Sequence, residues 1–322
     1  MKSKTLIGIL VLEAIVCAIL ALTLSSPDGG GYMALAQFPY AQVGLLLRTL
    51  SLSGAFGNVI AFVLYIGICA LPLLFIAIHI KKRAAKAEDW LLLILSGFAF
   101  YMIYMMINPG ALSRIPSFLN IDIGKAALGG ACHSLLIGYF VIKLLRKSDS
   151  TRTDALLKIL RLLLALTCVI VVFAISYIGI GDVKAKFAAI QSGNTDPSVS
   201  LGFTYVFVVL RYVLTQLPVL LEIGIFLLAM RLCSHLMTDR YGESAVDAAK
   251  KLASFSKGAV IAAVLSTLTL NLAQIVFAGS LVSVDFLTTL PIDSLIVAFA
   301  ALLLSRFFTA SRELAQDNQL FI

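Results

Sequence analysis

Hydrophobic residues in this chain gather into eight long stretches, at residues 5–24, 56–80, 90–107, 126–145, 156–178, 203–230, 258–277 and 291–308, separated by short polar gaps. A helix rises about 1.5 Å per residue, so about 20 apolar residues cross the hydrocarbon core of a bilayer. Lipid offers no partner to a backbone amide, and a helix pairs every amide within itself. The pattern therefore predicts an all-α, polytopic integral membrane protein with eight transmembrane helices.

Lysine and arginine divide the gaps into two sets. Nineteen of the 25 lie before the first stretch, after the second, fourth, sixth and eighth, or on the helix ends that border those gaps. The opposite gaps hold Arg48, Arg114, Lys125, Lys184 and Lys186, while Arg211 falls within a stretch. Positive flanks are retained on the cytosolic side, so both termini are expected in the cytosol. Lys2 and Lys4 before an apolar run resemble the start of a signal peptide. The cleavage-like Ala34-Leu35-Ala36 lies well beyond that run and Glu13 interrupts it, so the first stretch is read as a retained span.

Composition agrees. Apolar residues make up 60% of the chain, charged residues 13%, and mean hydropathy is +1.01, too apolar for a domain wetted on its surface. The formal charge of +8 suits the anionic lipids of the inner leaflet. No basic run is interleaved with stacking aromatics, so no nucleic-acid partner is expected. Cys17, Cys69, Cys132, Cys168 and Cys233 lie in or beside apolar stretches without CxxC spacing and read as small buried hydrophobes.

The stretches group as four plus four, residues 1–150 and 151–322, with a polar connector at 148–153. Leu71-Pro72-Leu73-Leu74 and Leu217-Pro218-Val219-Leu220 occupy matching places, which suggests two parallel four-helix repeats. Each proline removes a helical hydrogen bond and predicts an adjusted turn. In the gap after the sixth stretch, Ser244 and Asp247 resemble an N-terminus, and Ala245, Ala248, Ala249, Leu252 and Phe255 share a face. This predicts a short interfacial helix near 244–256, with Lys250 and Lys251 at the headgroups. The stripes Val43, Leu46, Leu47, Leu50 and Val183, Phe187, Ile190 predict exterior lids.

Ionisable groups within lipid are costly and mark candidate functional positions. They are Glu13, His133, Arg211 and Glu222, with Asp293 near an exterior mouth. Arg211, Thr215, Pro218 and Glu222 share one helical face. Arg211 and Glu222 lie about 16 Å apart along the axis, so their partners must come from other helices. An Arg211–Asp293 pair would hold helix order, and a cavity lined by these groups would suit a solute. Asn271, Gln274 and Gln216 fit either role, Gly129-Gly130 permits close helix approach, and Tyr101 and Tyr104 fit an aromatic belt.

Motifs for catalysis, cofactors and metals are missing: no GxSxG, Walker loop, HExxH or carboxylate pair at helical spacing occurs. No enzymatic activity, cofactor or metal is expected. Energy for pumping would have to come from a separate ATPase, and a regulatory protein is the other partner class. The oligomeric state is left open by the pattern.

Ala248-Ala249-Lys250-Lys251-Leu252, the run from Gly258 into the final stretch, and the tail from Arg312 to Leu320-Phe321-Ile322 carry a family resemblance. Over residues 200–322 the chain resembles DUF2975, a family of bacterial membrane proteins with no established reaction or ligand. It differs by its preceding four-span half, where Lys81-Lys82-Arg83-Ala84-Ala85-Lys86 stands in place of the longer cytosolic helix. The resemblance implies the bacterial inner membrane. The expected function is a non-catalytic transporter subunit or accessory that moves or senses a small or amphipathic solute. The alternative is a structural or regulatory interaction protein without a transport pathway.

Overall fold

The computed structural model describes residues 3–24, 31–82, 86–114, 120–148, 153–195, 200–239, 242–281 and 292–320. Among these residues the secondary structure is helical, with no strand. The elements are α1 (Ser3–Leu24), α2 (Gly31–Gln37), α3 (Tyr40–Leu52), α4 (Ala55–Lys81), α5 (Trp90–Ile107) and α6 (Pro109–Leu112). There follow α7 (Ile121–Ser148), α8 (Thr153–Phe173), α9 (Ile180–Gly193), α10 (Gly202–Thr238), α11 (Glu243–Val276) and α12 (Ile292–Leu320). Among the described residues, seven helices are long and apolar enough to cross a membrane: α1, α4, α5, α7, the continuous α8–α9 rod, α10 and α11. The eighth expected stretch is helical in α12, whose described apolar portion is the shorter Ala298–Ser311. Large apolar side chains such as Phe56, Phe62, Leu303 and Phe307 point outward, as a lipid solvent requires and water would penalise.

Contacts divide the chain into two compact units, Gly30–Thr151 and Met1–Gly29 with Arg152–Ile322. These do not follow the four-plus-four division, because α1 packs on α8, α9 and the turn between them. Leu6 and Leu10 of α1 share an apolar cluster with Cys168, Val172 and Ile223, and Lys184 Nζ donates to the Leu22 carbonyl at 3.1 Å near the α1 C-terminus. All five cysteines are buried and unbridged.

In the Gly30–Thr151 unit, α4 and α5 form an antiparallel pair joined by side chains that reach backbone carbonyls. Ser96 Oγ donates to the Cys69 carbonyl at 2.7 Å and Tyr65 Oη to that of Phe100 at 2.8 Å. The Ser96 bond falls one residue beyond Ile68, whose carbonyl Pro72 leaves without its amide, and α4 runs unbroken through the proline. The lid expected over Val43–Leu50 forms as α3, packed on α4 and α5. Leu47 is 1% exposed and Gly44 is buried, while Leu46 turns outward, so the seated face is narrower than the four-residue stripe.

In the other unit, α8 passes through a π-helical turn, Ala174–Gly179, into α9. The expected lid at Val183, Phe187 and Ile190 is therefore the end of a 41-residue rod. A π turn widens the helix and disturbs its ladder. Tyr212 of α10 answers both effects: its hydroxyl donates to the Ile175 carbonyl at 2.7 Å, and its ring covers Gly179, where a Cβ would lie 2.7 Å from Cε2.

The expected interfacial helix at 244–256 is a correction of the same kind. Those residues are the first turns of α11, which runs without a break for 34 residues and starts after Gly242, with no side-chain cap from Ser244. The small face Ala245, Ala248, Ala249 and Ala253 is buried, and Ala248, Ala249 and Ala253 pack with Leu232 and Leu236 of α10, so burial against a helix replaced burial against headgroups. At about 1.5 Å per residue α11 is about 51 Å long, and fitting it within about 30 Å of hydrocarbon needs a tilt of about 54°. Membrane helices tilt by at most about 40°, so part of α10–α11 projects from the lipid.

Gly129 and Gly130 separate cleanly in space. A Cβ at Gly129 would fall on the Ala36 carbonyl oxygen of α2, whereas nothing lies within 4 Å of one at Gly130. Gly129→Ala is expected to lower stability by about 1–3 kcal/mol through overpacking. Gly130→Ala should be neutral or stabilising, by up to about 1 kcal/mol of helix propensity. Unfolding of the two variants in detergent checks this, since the propensity gain is common to both and their difference isolates the contact.

Candidate functional site

Polar side chains concentrate where α4, α5 and α7 meet at the α5 N-terminus. After α4, Lys86 adopts an extended conformation and Ala87–Asp89 form a 3₁₀ turn leading into Trp90. Asp89 Oδ2 accepts the Lys86 amide at 2.9 Å, which closes the turn and sets a carboxylate at the positive end of the α5 dipole. Asp89 and Glu88 are only 6% and 9% exposed, so each needs a partner.

Partners come from both flanking helices. His79, in the last turn of α4, lies with Nδ1 3.0 Å from Asp89 Oδ1. An ionised carboxylate only accepts, so Nδ1 carries the proton in this contact. Tyr139 Oη donates to the same oxygen at 3.4 Å and accepts from Lys143 Nζ at 2.9 Å. Arg146 Nη1 meets Glu88 Oε2 at 2.5 Å. Tyr139, Lys143 and Arg146 are spaced four and three apart and so present one face of α7 to the two carboxylates. Two acids thus face Lys143, Arg146 and a histidine, which makes the cluster close to neutral and permits its burial.

Beside this network runs a groove of about 410 Å³. Leu73, Ile76 and Ile80 of α4 and Leu93 of α5 form its apolar wall, and Lys86, Asp89 and the outward-facing Trp90 form its polar end. That volume lies in the range of about 300–1,000 Å³ typical of small-molecule sites. The arrangement can hold a molecule with an apolar body and a polar head. It contains no nucleophile paired with a base.

The residues singled out from sequence are distributed differently. Glu13 lies on α1, its Oε2 buried with no hydrogen-bond partner among the described residues. Its neighbour Ala14 and Glu222's neighbour Ile223 belong to one apolar cluster, so these two carboxylates border the same packed region. Arg211 and Glu222 each make polar or electrostatic contacts within the structure. His133 belongs to the other unit, where its ring packs on Tyr40 of α3 with centroids 5.0 Å apart. The Asp293 side chain lies outside the described residues, as does most of the 148–153 connector. Gln274 is buried on α11.

Sequence reasoning missed Glu88 and Asp89 because they follow the basic run Lys81–Lys86 and read as part of a solvated gap. Two signals were available. Adjacent acids directly before Trp90 mark a helix start, and Tyr139, Lys143 and Arg146 recur at helical spacing on a span end.

No family model matches the chain, and no curated protein or solved structure matches it either. Its function is therefore argued from its own residues.

Removing Arg146 takes from the buried Glu88 the cation it pairs with directly. Arg146→Ala is expected to cost about 1–3 kcal/mol, below the value for a fully buried pair because Arg146 is half exposed. With Glu88→Ala as the second arm, a double-mutant cycle measured by unfolding in detergent should give a coupling of about 0.5–3 kcal/mol. Additive losses would show that the two groups do not act as a pair.

Proposed function

We propose that this chain is a non-enzymatic protein of the bacterial cytoplasmic membrane, a transporter subunit or accessory that moves or senses an amphipathic solute. The observation that carries this reading is the groove between α4 and α5. Its long apolar wall ends at Lys86, Asp89 and Trp90, so tail and head of an amphipathic molecule find matching surfaces along one line. The Glu88–Asp89 network holds the head region at fixed geometry, tying the groove's polar end to α7. Coupling to energy then depends on a separate ATPase or on a gradient.

The accompanying topology has eight spans, with α12 as the last and both termini cytosolic. The supporting observation is the alternation of basic gaps, and in this topology the α5 N-terminus and the groove's polar end lie at the inner face. The DUF2975 resemblance supports the same compartment. A second reading is a regulatory interaction protein without a conduit. It is favoured by the length of α10 and α11, whose projecting turns, packed through Ala248, Ala249 and Leu252, offer a rigid hairpin to a cytosolic partner.

Two measurements test this. Ala77 of α4 also lines the groove; a photoreactive fatty acid added to membranes should label α4 and α5 beside it, and Ala77→Phe, which fills the groove, should cut that labelling about tenfold. Uniform labelling over the outward surface, insensitive to Ala77→Phe, would remove the basis for the solute reading. For topology, a cysteine at Thr49 should react with an impermeant maleimide in intact cells and one at Lys82 only after lysis. The reverse pattern would invert the orientation.

A further inference from the structure

At the other end of α5, about 27 Å along its axis from the acidic network, lies a second and chemically different cleft. It has a volume of about 340 Å³ and is lined by Arg48 and Gln42 of α3, Met106 of α5, Pro109 of α6 and Lys125 of α7, with Leu45 completing an apolar wall. Arg48 and Lys125 are two of the few basic residues on that side of the chain, where the positive-inside bias would remove them unless they were used.

The geometry of this cleft is built in. Gly44 seats α3 on the end of α5, since a Cβ there would come 2.5 Å from Met106 Cβ and 2.8 Å from its carbonyl carbon. One turn later Arg48 Nη1 donates to the Ile107 carbonyl at 2.9 Å, the last residue of α5, where the helix dipole favours a cation. That bond uses one of five guanidinium donors and holds the rest in place. Capping α5 thus accounts for Arg48, while Lys125 is held more loosely among the described residues. Lys125 is 22% exposed, and its contact is Asp122 at 3.9 Å, too long for a hydrogen bond, with Asp122 itself 62% exposed. Two cations and one distant acid leave a net positive cleft with a greasy wall.

We propose that this cleft binds a phosphate group, with Arg48 and Lys125 as its ligands and Leu45, Met106 and Pro109 receiving adjoining hydrocarbon. A singly charged phosphodiester matches the net charge, and the apolar wall selects one carried by an anionic phospholipid. Free phosphate shares the chemistry of the two cations. This site is independent of the α4–α5 groove and of the function argued from it, since the two share no residue.

The test uses the full chain in phosphatidylcholine nanodiscs, with phosphatidylglycerol titrated in one arm and inorganic phosphate in the other. Binding is read by native mass spectrometry and by thermal stabilisation. Phosphatidylglycerol should bind, and Lys125→Gln should weaken it about tenfold, the loss of one charge-assisted contact. Arg48→Gln should do the same, and because it also loosens the end of α5, Lys125→Gln is the deciding variant. Arg114→Gln, a basic residue outside the cleft, should bind as the parent does. Stabilisation by inorganic phosphate alone, lost in Lys125→Gln, would keep the phosphate site and assign the free ion. Binding that Lys125→Gln leaves intact, equal losses in Arg114→Gln, or no binding of either ligand would overturn the proposal.

Discussion

Hydrocarbon cannot solvate a charge or an unpaired amide, and this one constraint explains where the structure spends its specific interactions. Helices take care of the amides internally, and Pro72 and the π turn are places where they fall short. At each, a neighbouring side chain lies close: Ser96 beside the carbonyl that Pro72 leaves, and Tyr212 at Ile175 within the π turn. The charges follow the same logic. Glu88 and Asp89 enter the protein only together with Arg146, Lys143 and His79, so the polar end of the α4–α5 groove is fixed by the need to keep buried charge balanced.

Apolar packing in lipid has no water to drive it, so close approach matters more than hydrophobicity. The contacts that set helix positions rest on small residues. Gly44 lets α3 onto Met106, Gly129 admits the α2 backbone, Gly179 lies under Tyr212, and Ala248 and Ala249 draw α11 onto α10. These contacts in turn place function. Without the approach at Gly44, Arg48 would not reach Ile107 and the cleft beside it would lose both its floor and its cation. Without the α10–α11 contact, residues 244–256 would have to find another surface for their apolar face.

Much of the helical content was legible beforehand. The stretch at 90–107 is α5 to the residue, and those at 5–24 and 56–80 match α1 and α4 to within two residues. What lay outside the stretches was harder to read. Residues 183–190 were expected as a lid and 244–256 as a separate short helix because their polar content breaks the apolar run, yet the helix continues through both. The candidate site was legible only in its parts. Intramembrane Glu13, His133, Arg211 and Glu222 stand out by cost, whereas Glu88 and Asp89 sit at a boundary where acids are cheap in sequence and become expensive only once three helices close over them.

The sequence by itself determined where the long apolar helices run, because that follows from local chemistry: backbone pairing within one segment whose side chains lipid accepts. Which helices touch was decided by tertiary structure, including the departure of α1 from the segments that follow it to pack with α8 and α9. The physical reason is that a leucine facing lipid and a leucine facing another helix sit in nearly the same medium. In water an apolar stripe points to its core; in a bilayer the outward face is equally apolar, and only shape and the pairing of scarce polar groups tell one face from the other.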